Sequence, residues 1–208
     1  MITLYHAPKS RSTRMIFLLE ELGAPYEIKT VTIRRGDGSG EIDDSNPHPH
    51  AKVPAIRHGK ETVFESPAIV SYLADAFPDA KLAPKPGEAG RGLYLSVLAY
   101  YGDVLEPAFI SKFLNTPVPR GTAGWVVVEE AMAFIDQALT AHPYIAGDSF
   151  SAADILYATT FGMFASNPMM PKLASVDAYV KRCLDRPAYA RAMAKDASAS
   201  NSEAMSQK

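Results

Sequence analysis

Ile2–Gly23, ITLYHAPKSRSTRMIFLLEELG, changes its periodicity at a proline. Before Pro8, Ile2–His6 is a short apolar run with an aromatic residue, the pattern of a buried strand. After it comes a polar turn, Lys9-Ser10-Arg11-Ser12-Thr13. Met15, Leu18, Leu19 and Leu22 then fall at i, i+3, i+4 and i+7 and mark one face of a helix, which Gly23 and Pro25 stop. A polar turn between a strand and a helix start leaves backbone N–H groups free beside the positive end of a dipole. Such a place can hold an anion. Ser10 and Ser12 have two readings here, as caps of the helix or as hydroxyl donors to that anion.

Working outward, Tyr26–Ile33 reads as a second strand, with an alternation that slips between Ile28 and Val31, as in a bulge or a short strand. Residues 34–46 read as a glycine-rich loop. Val53–His58 and Thr62–Phe64 read as brief strands joined by a hairpin at His58-Gly59-Lys60-Glu61. Ser66-Pro67 then opens a helix, serine at the N-cap and proline at the first helical position, with Ile69, Tyr72, Leu73 and Phe77 on its buried face. Pro78–Gly90, with three prolines and two glycines, is the linker candidate. Beyond it strand signals vanish. Helical patterns run over Leu93–Asn115, Ala123–Ala141, Ala152–Phe164, Leu173–Leu184 and Ala188–Lys195. The expected layout is α/β plus all-α: a first domain over 1–78, a linker over 79–90, and a helical domain over 91–208 with a disordered tail from about 197.

Composition narrows the function. The 208 residues are 47% hydrophobic and 21% charged with a net charge of −2, which fits a globular chain and speaks against a nucleic-acid binder. No apolar run approaches the roughly 18 residues of a membrane span, and the N-terminus lacks the pattern of a signal peptide. A single cysteine, Cys183, excludes an internal disulfide and a CxxC pair, so the expected compartment is the reducing cytoplasm. No GxSxG elbow or phosphate-binding glycine loop is present. His48 and His50, two ligands without a third, make a poor metal site.

Four segments taken together resemble the cytosolic glutathione S-transferase family, in its serine-type, theta- and delta-like form. They are Pro8–Arg14 with the helix ending Leu19-Glu20-Glu21-Leu22-Gly23; His48-Pro49-His50-Ala51-Lys52-Val53-Pro54-Ala55-Ile56; Glu65-Ser66-Pro67-Ala68-Ile69; and Gly147–Asp154. The resemblance implies a thioredoxin-like first domain, a helical-bundle second domain and a two-fold homodimer. It implies glutathione as co-substrate, no metal, and conjugation to small electrophilic, mostly apolar compounds in a pocket to which aromatic residues of the Tyr94–Phe113 run contribute. Ser10 is then the catalytic serine, with Ser12 the second choice. Members that use cysteine carry it in this same turn, where this chain has none. Pro54 is expected to be cis, with the Val53 backbone pairing the cysteinyl backbone of glutathione. Lys52, or more weakly His50, meets the glycyl carboxylate. Glu65 faces the γ-glutamyl ammonium and Ser66 the γ-glutamyl carboxylate. Ser151-Ala152-Ala153-Asp154 is a capping box with Asp in the usual Glu place, a folding element without a chemical role. Other readings stay open at this point: a glutathione-binding interaction module without turnover, or a glutathione-dependent peroxidase, dehalogenase or isomerase.

Overall fold

The computed structural model describes residues 1–167 and 171–206. Two compact units partition the chain, Met1–Ala80 together with the segment from Arg186 onward, and Lys81–Asp185.

The first unit is built on a four-stranded sheet in the order β2-β1-β3-β4, from β1 (Ile2–His6), β2 (Tyr26–Thr30), β3 (Ala55–His58) and β4 (Glu61–Phe64). β1 pairs β2 in parallel, through helix α1 (Thr13–Leu22), and β3 antiparallel, while β3 and β4 form the hairpin around Gly59. β2 stops at Thr30, so the slip in alternation before Val31 reflects a short strand; the Val31 N–H still donates to the His6 carbonyl. Helix α2 (Ser66–Ala76) turns Ile69, Val70, Leu73 and Ala74 inward.

The four-residue apolar face read for α1 understates its burial. Met15, Ile16, Phe17, Leu18 and Leu19 are all fully buried. The reason is α8 (Pro187–Ser206), which covers the side of α1 away from the sheet with Ala188, Ala192 and Tyr189, the last edge-on to Phe17 at 5.4 Å. Two sequence expectations change here. The last helix belongs to the first unit and not to the helical one, and it runs on through Ser206 where a disordered tail was expected from about 197; residues 207 and 208 lie outside the described residues.

Ion pairs fasten the two helices. Arg186 grips the Glu21 carboxylate with Nε at 2.6 Å and a terminal nitrogen at 2.8 Å. Glu20 accepts from Arg191 at 2.6 Å, Lys195 at 2.6 Å and the Tyr26 hydroxyl at 2.7 Å. Burial alone would raise the Glu20 pKa, but these hydrogen bonds outweigh it and bring it from 4.5 to about 2. A depressed folded-state pKa contributes stability that is present above the unfolded value near 4.5 and lost as pH falls through about 2. Because Arg191 and Lys195 are half exposed, the contribution is discounted to about 1–2 kcal/mol. Glu20→Gln is therefore expected to cost about 1–2 kcal/mol at neutral pH and to flatten the fall in stability between those two pH values. Chemical unfolding followed across that window measures both; an acid limb of unchanged steepness would contradict it.

The second unit is helical: α3 (Arg91–Tyr100), α4 (Glu106–Phe113), α5 (Val128–Ala141), α6 (Ala152–Phe164) and α7 (Ala174–Leu184). The single helix expected over Leu93–Asn115 is interrupted by a π-helical turn at Tyr101–Leu105. Pro107 lacks the N–H that would close the next regular turn, so the chain widens just before it. α5 starts at Val128, later than expected, because Pro117, Pro119, Gly121 and Gly124 keep the preceding stretch irregular. α6 is the buried centre. Its Tyr157 hydroxyl donates to the Val97 carbonyl at 2.7 Å, and Tyr101 bonds Thr160 at 2.7 Å. Tyr94 and Tyr101 are thus core residues of this unit, while Phe113 is 67% exposed. The capping box forms as the sequence predicts, with the Ser151 N–H and hydroxyl both donating to Asp154 at 2.8 Å. Among the described residues no helix is long and apolar enough to cross a membrane.

Candidate active site

Strand register gathers the site. Tyr5 stands opposite Ala55, and Ala55 opposite Phe64. The residues after Tyr5, before Ala55 and after Phe64 therefore leave the sheet at one end. Those three exits are the Ser10 turn, Val53–Pro54 and Glu65–Ser66, so the antiparallel pairing brings the Ser10 turn beside two segments that follow it by more than forty residues in sequence.

In the first exit, Ser10 is half-buried and Ser12 wholly buried. The Ser10 hydroxyl donates to the Ala7 carbonyl at 2.6 Å and lies 2.8 Å from the Ser12 hydroxyl. Ser12 sits at the N-cap of α1, but its backbone is already helical and its hydroxyl caps nothing. It turns back instead, accepting the Ala7 N–H at 3.2 Å and meeting His6 Nδ1 at 2.8 Å. The cap reading of Ser12 is corrected accordingly. Of the two serines, Ser10 is the one with access to solvent.

Behind Ser12 lies a pair that sequence reasoning missed. His6 is fully buried, and its Nε2 stands 3.2 Å from a carboxylate oxygen of Asp196 on α8, outside hydrogen-bond angles. Asp196 also accepts the Thr13 hydroxyl at 2.6 Å and the Lys9 N–H at 3.2 and 3.3 Å, Lys9 having a left-handed φ of 55° that aims its N–H there. Burial pulls the His6 pKa below its ordinary value, and the Asp196 charge opposes that pull. A histidine in a strand reads as core, and an aspartate 190 positions later in an alanine-rich helix carries no motif, so no local signal joined them.

In the second exit the Val53–Pro54 peptide is cis, as the resemblance implied. Pro54 is buried and Val53 packs against Tyr5, Val31 and Ala55. Among the described residues no hydrogen bond uses the Val53 N–H or carbonyl. The Asn46 side chain holds the Lys52 carbonyl at 2.9 Å, and the Lys52 side chain is exposed.

The third exit also departs from expectation. The N-cap of α2 is Glu65, and Ser66 is the first helical residue with Pro67 after it. Glu65 has φ +68°, a conformation that costs a non-glycine residue about 1–3 kcal/mol and is typically retained where it serves a site. Ser66 is buried under it. His48 completes this corner. Its Nδ1 accepts the His50 N–H at 3.1 Å, so its Nε2 carries the proton and points at the Glu65 carboxylate 3.7 Å away. Burial lowers the His48 pKa despite the carboxylate, keeping it neutral at pH 7. The His50 side chain is exposed, and among the described residues no three His, Cys, Asp or Glu side chains gather as metal ligands.

Comparison with known proteins agrees with this geometry. The family model for the glutathione S-transferase N-terminal domain matches residues 1–75, and that for the C-terminal domain matches residues 119–191. Glutathione S-transferase 3 of Zea mays is 27% identical over 93% of this chain and 93% of its own length. Glutathione S-transferase GstA of Escherichia coli O157:H7 is 25% identical over 88% of this chain and 93% of its own. Among solved structures, the beta class glutathione S-transferase of Sphingomonas chungbukensis is 30% identical with a TM-score of 0.74, covering 93% of this chain and 98% of that one. A sphingomonad glutathione S-transferase complexed with glutathione is 29% identical with the same TM-score, over 94% and 98%. With both of its family domains in order and the thioredoxin-like sheet carrying the three exits, the chain belongs to the glutathione S-transferase family.

Proposed function

We propose that this chain is a glutathione transferase that holds the glutathione thiol as thiolate at Ser10 and joins it to small electrophilic, mostly apolar compounds. The observation that carries the reading is the half-buried Ser10 hydroxyl at the sheet end shared by Val53–Pro54 and Glu65–Ser66.

The chemistry follows from magnitudes. A free thiol has a pKa of about 8.5, and lowering it by two units takes about 2.7 kcal/mol of preference for the anion. A hydroxyl donor to a charged acceptor supplies roughly 1.5–3 kcal/mol, and a helix N-terminus adds roughly 0.3–1 kcal/mol. Ser10 ahead of α1 is therefore sufficient. The Val53 N–H and carbonyl pair the cysteinyl backbone as an added strand would. Ser66 and the start of α2 take the γ-glutamyl carboxylate, Glu65 the ammonium, and Lys52 the glycyl carboxylate. His48 is the residue that steadies Glu65 for this. In the transfer step the thiolate attacks the electrophilic carbon; with a chloroarene the C–S bond forms as chloride leaves with the bonding pair.

Calorimetry with millimolar glutathione, followed by turnover of a chlorodinitrobenzene-type substrate, tests the proposal. Binding with conjugation is expected. Absence of binding would overturn it, and binding without any conjugation would leave only a glutathione-binding protein. A two-fold homodimer in the cytoplasm belongs to the same reading, supported by exposed Leu93, Leu95, Ile110 and Phe113 on the helical unit. Sedimentation at micromolar concentration should give twice the 22.5 kDa of one chain; a monomer would contradict it.

A further inference from the structure

We propose that His6 receives the glutathione thiol proton through Ser10 and Ser12, and that Asp196 positions the ring to do so. The inference rests on the reading of Ser10 given above.

Ser10, Ser12 and His6 form a hydrogen-bonded line, and the Asp196 carboxylate flanks its buried end. Ser10 Oγ lies 2.8 Å from Ser12 Oγ, Ser12 Oγ 2.8 Å from His6 Nδ1, and His6 Nε2 3.2 Å from Asp196 Oδ1. Ser12 and His6 are wholly buried and Asp196 is 4% exposed, so Ser10 is the end of the line that meets solvent. The negative carboxylate 3.2 Å from Nε2 attracts the neutral imidazole proton to that nitrogen and leaves Nδ1 bare. Ser12 therefore donates to Nδ1, and Ser10, with a small rotation away from the Ala7 carbonyl, donates to Ser12.

The transfer balances without any other reactant. The S–H bond breaks and its proton passes to Ser10 Oγ; the proton of Ser10 passes to Ser12 Oγ; that of Ser12 passes to Nδ1. Every donor along the line is then reversed. The imidazolium donates to Ser12, Ser12 to Ser10, and Ser10 to the thiolate. The product is a thiolate and an imidazolium, the latter facing Asp196. Among the described residues, Ser12 at the start of α1 and the charged Asp196 on α8 meet the ring from the neighbouring elements, and Asp196 is itself held by Thr13 and the Lys9 N–H. Burial lowers the pKa of the resting ring and keeps it neutral, and the negative charges of Asp196 and the new thiolate oppose that pull once the proton has arrived. A proton acceptor of this kind typically contributes about 10²–10⁴ in rate.

The test is a proton inventory on the intact protein. Glutathione is added in weak buffer near neutral pH. Thiolate formed is read from its ultraviolet absorbance, proton release from an indicator dye, and S-methylglutathione supplies the blank. The wild type is expected to release fewer than about half a proton per thiolate, since the two sites titrate as a coupled pair. His6→Gln should form about tenfold less thiolate, as for a thiol pKa raised by about one unit, each with one proton released, and Asp196→Asn should move release toward one per thiolate. A wild type that releases one proton per thiolate overturns the relay and leaves the Ser10 reading standing. A complex that forms no thiolate overturns both. If either variant fails to fold, the wild-type inventory alone decides.

Discussion

Replacing Ser10 with alanine is expected to lower turnover about 10- to 100-fold at neutral pH while glutathione affinity stays nearly unchanged. On the proposed reading the hydroxyl addresses only the sulfur, while Val53, Lys52, Glu65 and Ser66 hold the rest of the tripeptide. Removing a bond worth roughly 1.5–3 kcal/mol to the anion raises the bound thiol pKa by about one to two units. Activity should therefore recover partly as pH rises, because a raised pKa is overcome once the solution pH approaches it. Steady-state rates across pH 6 to 9, beside glutathione binding by calorimetry, measure the two effects separately. A loss of affinity as large as the loss of rate would assign Ser10 to binding, and an unchanged pH profile would remove it from the chemistry.

Asp154→Ala is expected to destabilise the helical unit by about 3–5 kcal/mol, a large share of the roughly 5–15 kcal/mol that holds a typical fold. The carboxylate is fully buried and accepts the Ser151 N–H and hydroxyl at 2.8 Å, the Ile145 N–H at 2.9 Å and the Tyr179 hydroxyl at 2.9 Å. Alanine leaves the Ile145 and Ser151 N–H groups and the Ser151 hydroxyl without their acceptor, each costing about 1–3 kcal/mol, not fully additively, while the Tyr179 hydroxyl keeps the residue-154 carbonyl at 3.3 Å. Urea unfolding should show a lower midpoint with an unchanged slope. A loss under about 1 kcal/mol would mean that water enters and replaces the carboxylate.

Much of this was legible in the chain because it is written locally. The strand–turn–helix at Ile2–Gly23, the hairpin around Gly59 and the capping box at Ser151–Asp154 depend on neighbours within a few positions. The convergence of the site was legible only through family resemblance, since nothing within Lys52-Val53-Pro54 says that it lies beside Ser10; strand register says so. What stayed hidden has a common cause in distance along the chain. The basic residues Arg186, Arg191 and Lys195 read as a solvated face until Glu20 and Glu21 are set opposite them. Glu65 reads as an acid before a cap, and its left-handed backbone is visible only in three dimensions. Ser12 reads as a cap because caps are common, whereas its hydroxyl is committed to a histidine six residues back.

The docking of α8 on α1 has a consequence for how the protein is made. The sheet and the serine turn leave the ribosome well before α8, yet the carboxylate that stands behind His6 is Asp196, midway along that helix. At roughly 5–20 residues per second, the first unit waits on the order of ten seconds for that helix. During that interval the outer side of α1 is bare, with Phe17 uncovered and Glu20 lacking its two basic partners. The nascent sheet thus carries an exposed apolar helix face until α8 is made, and the turn behind Ser10 is finished only then.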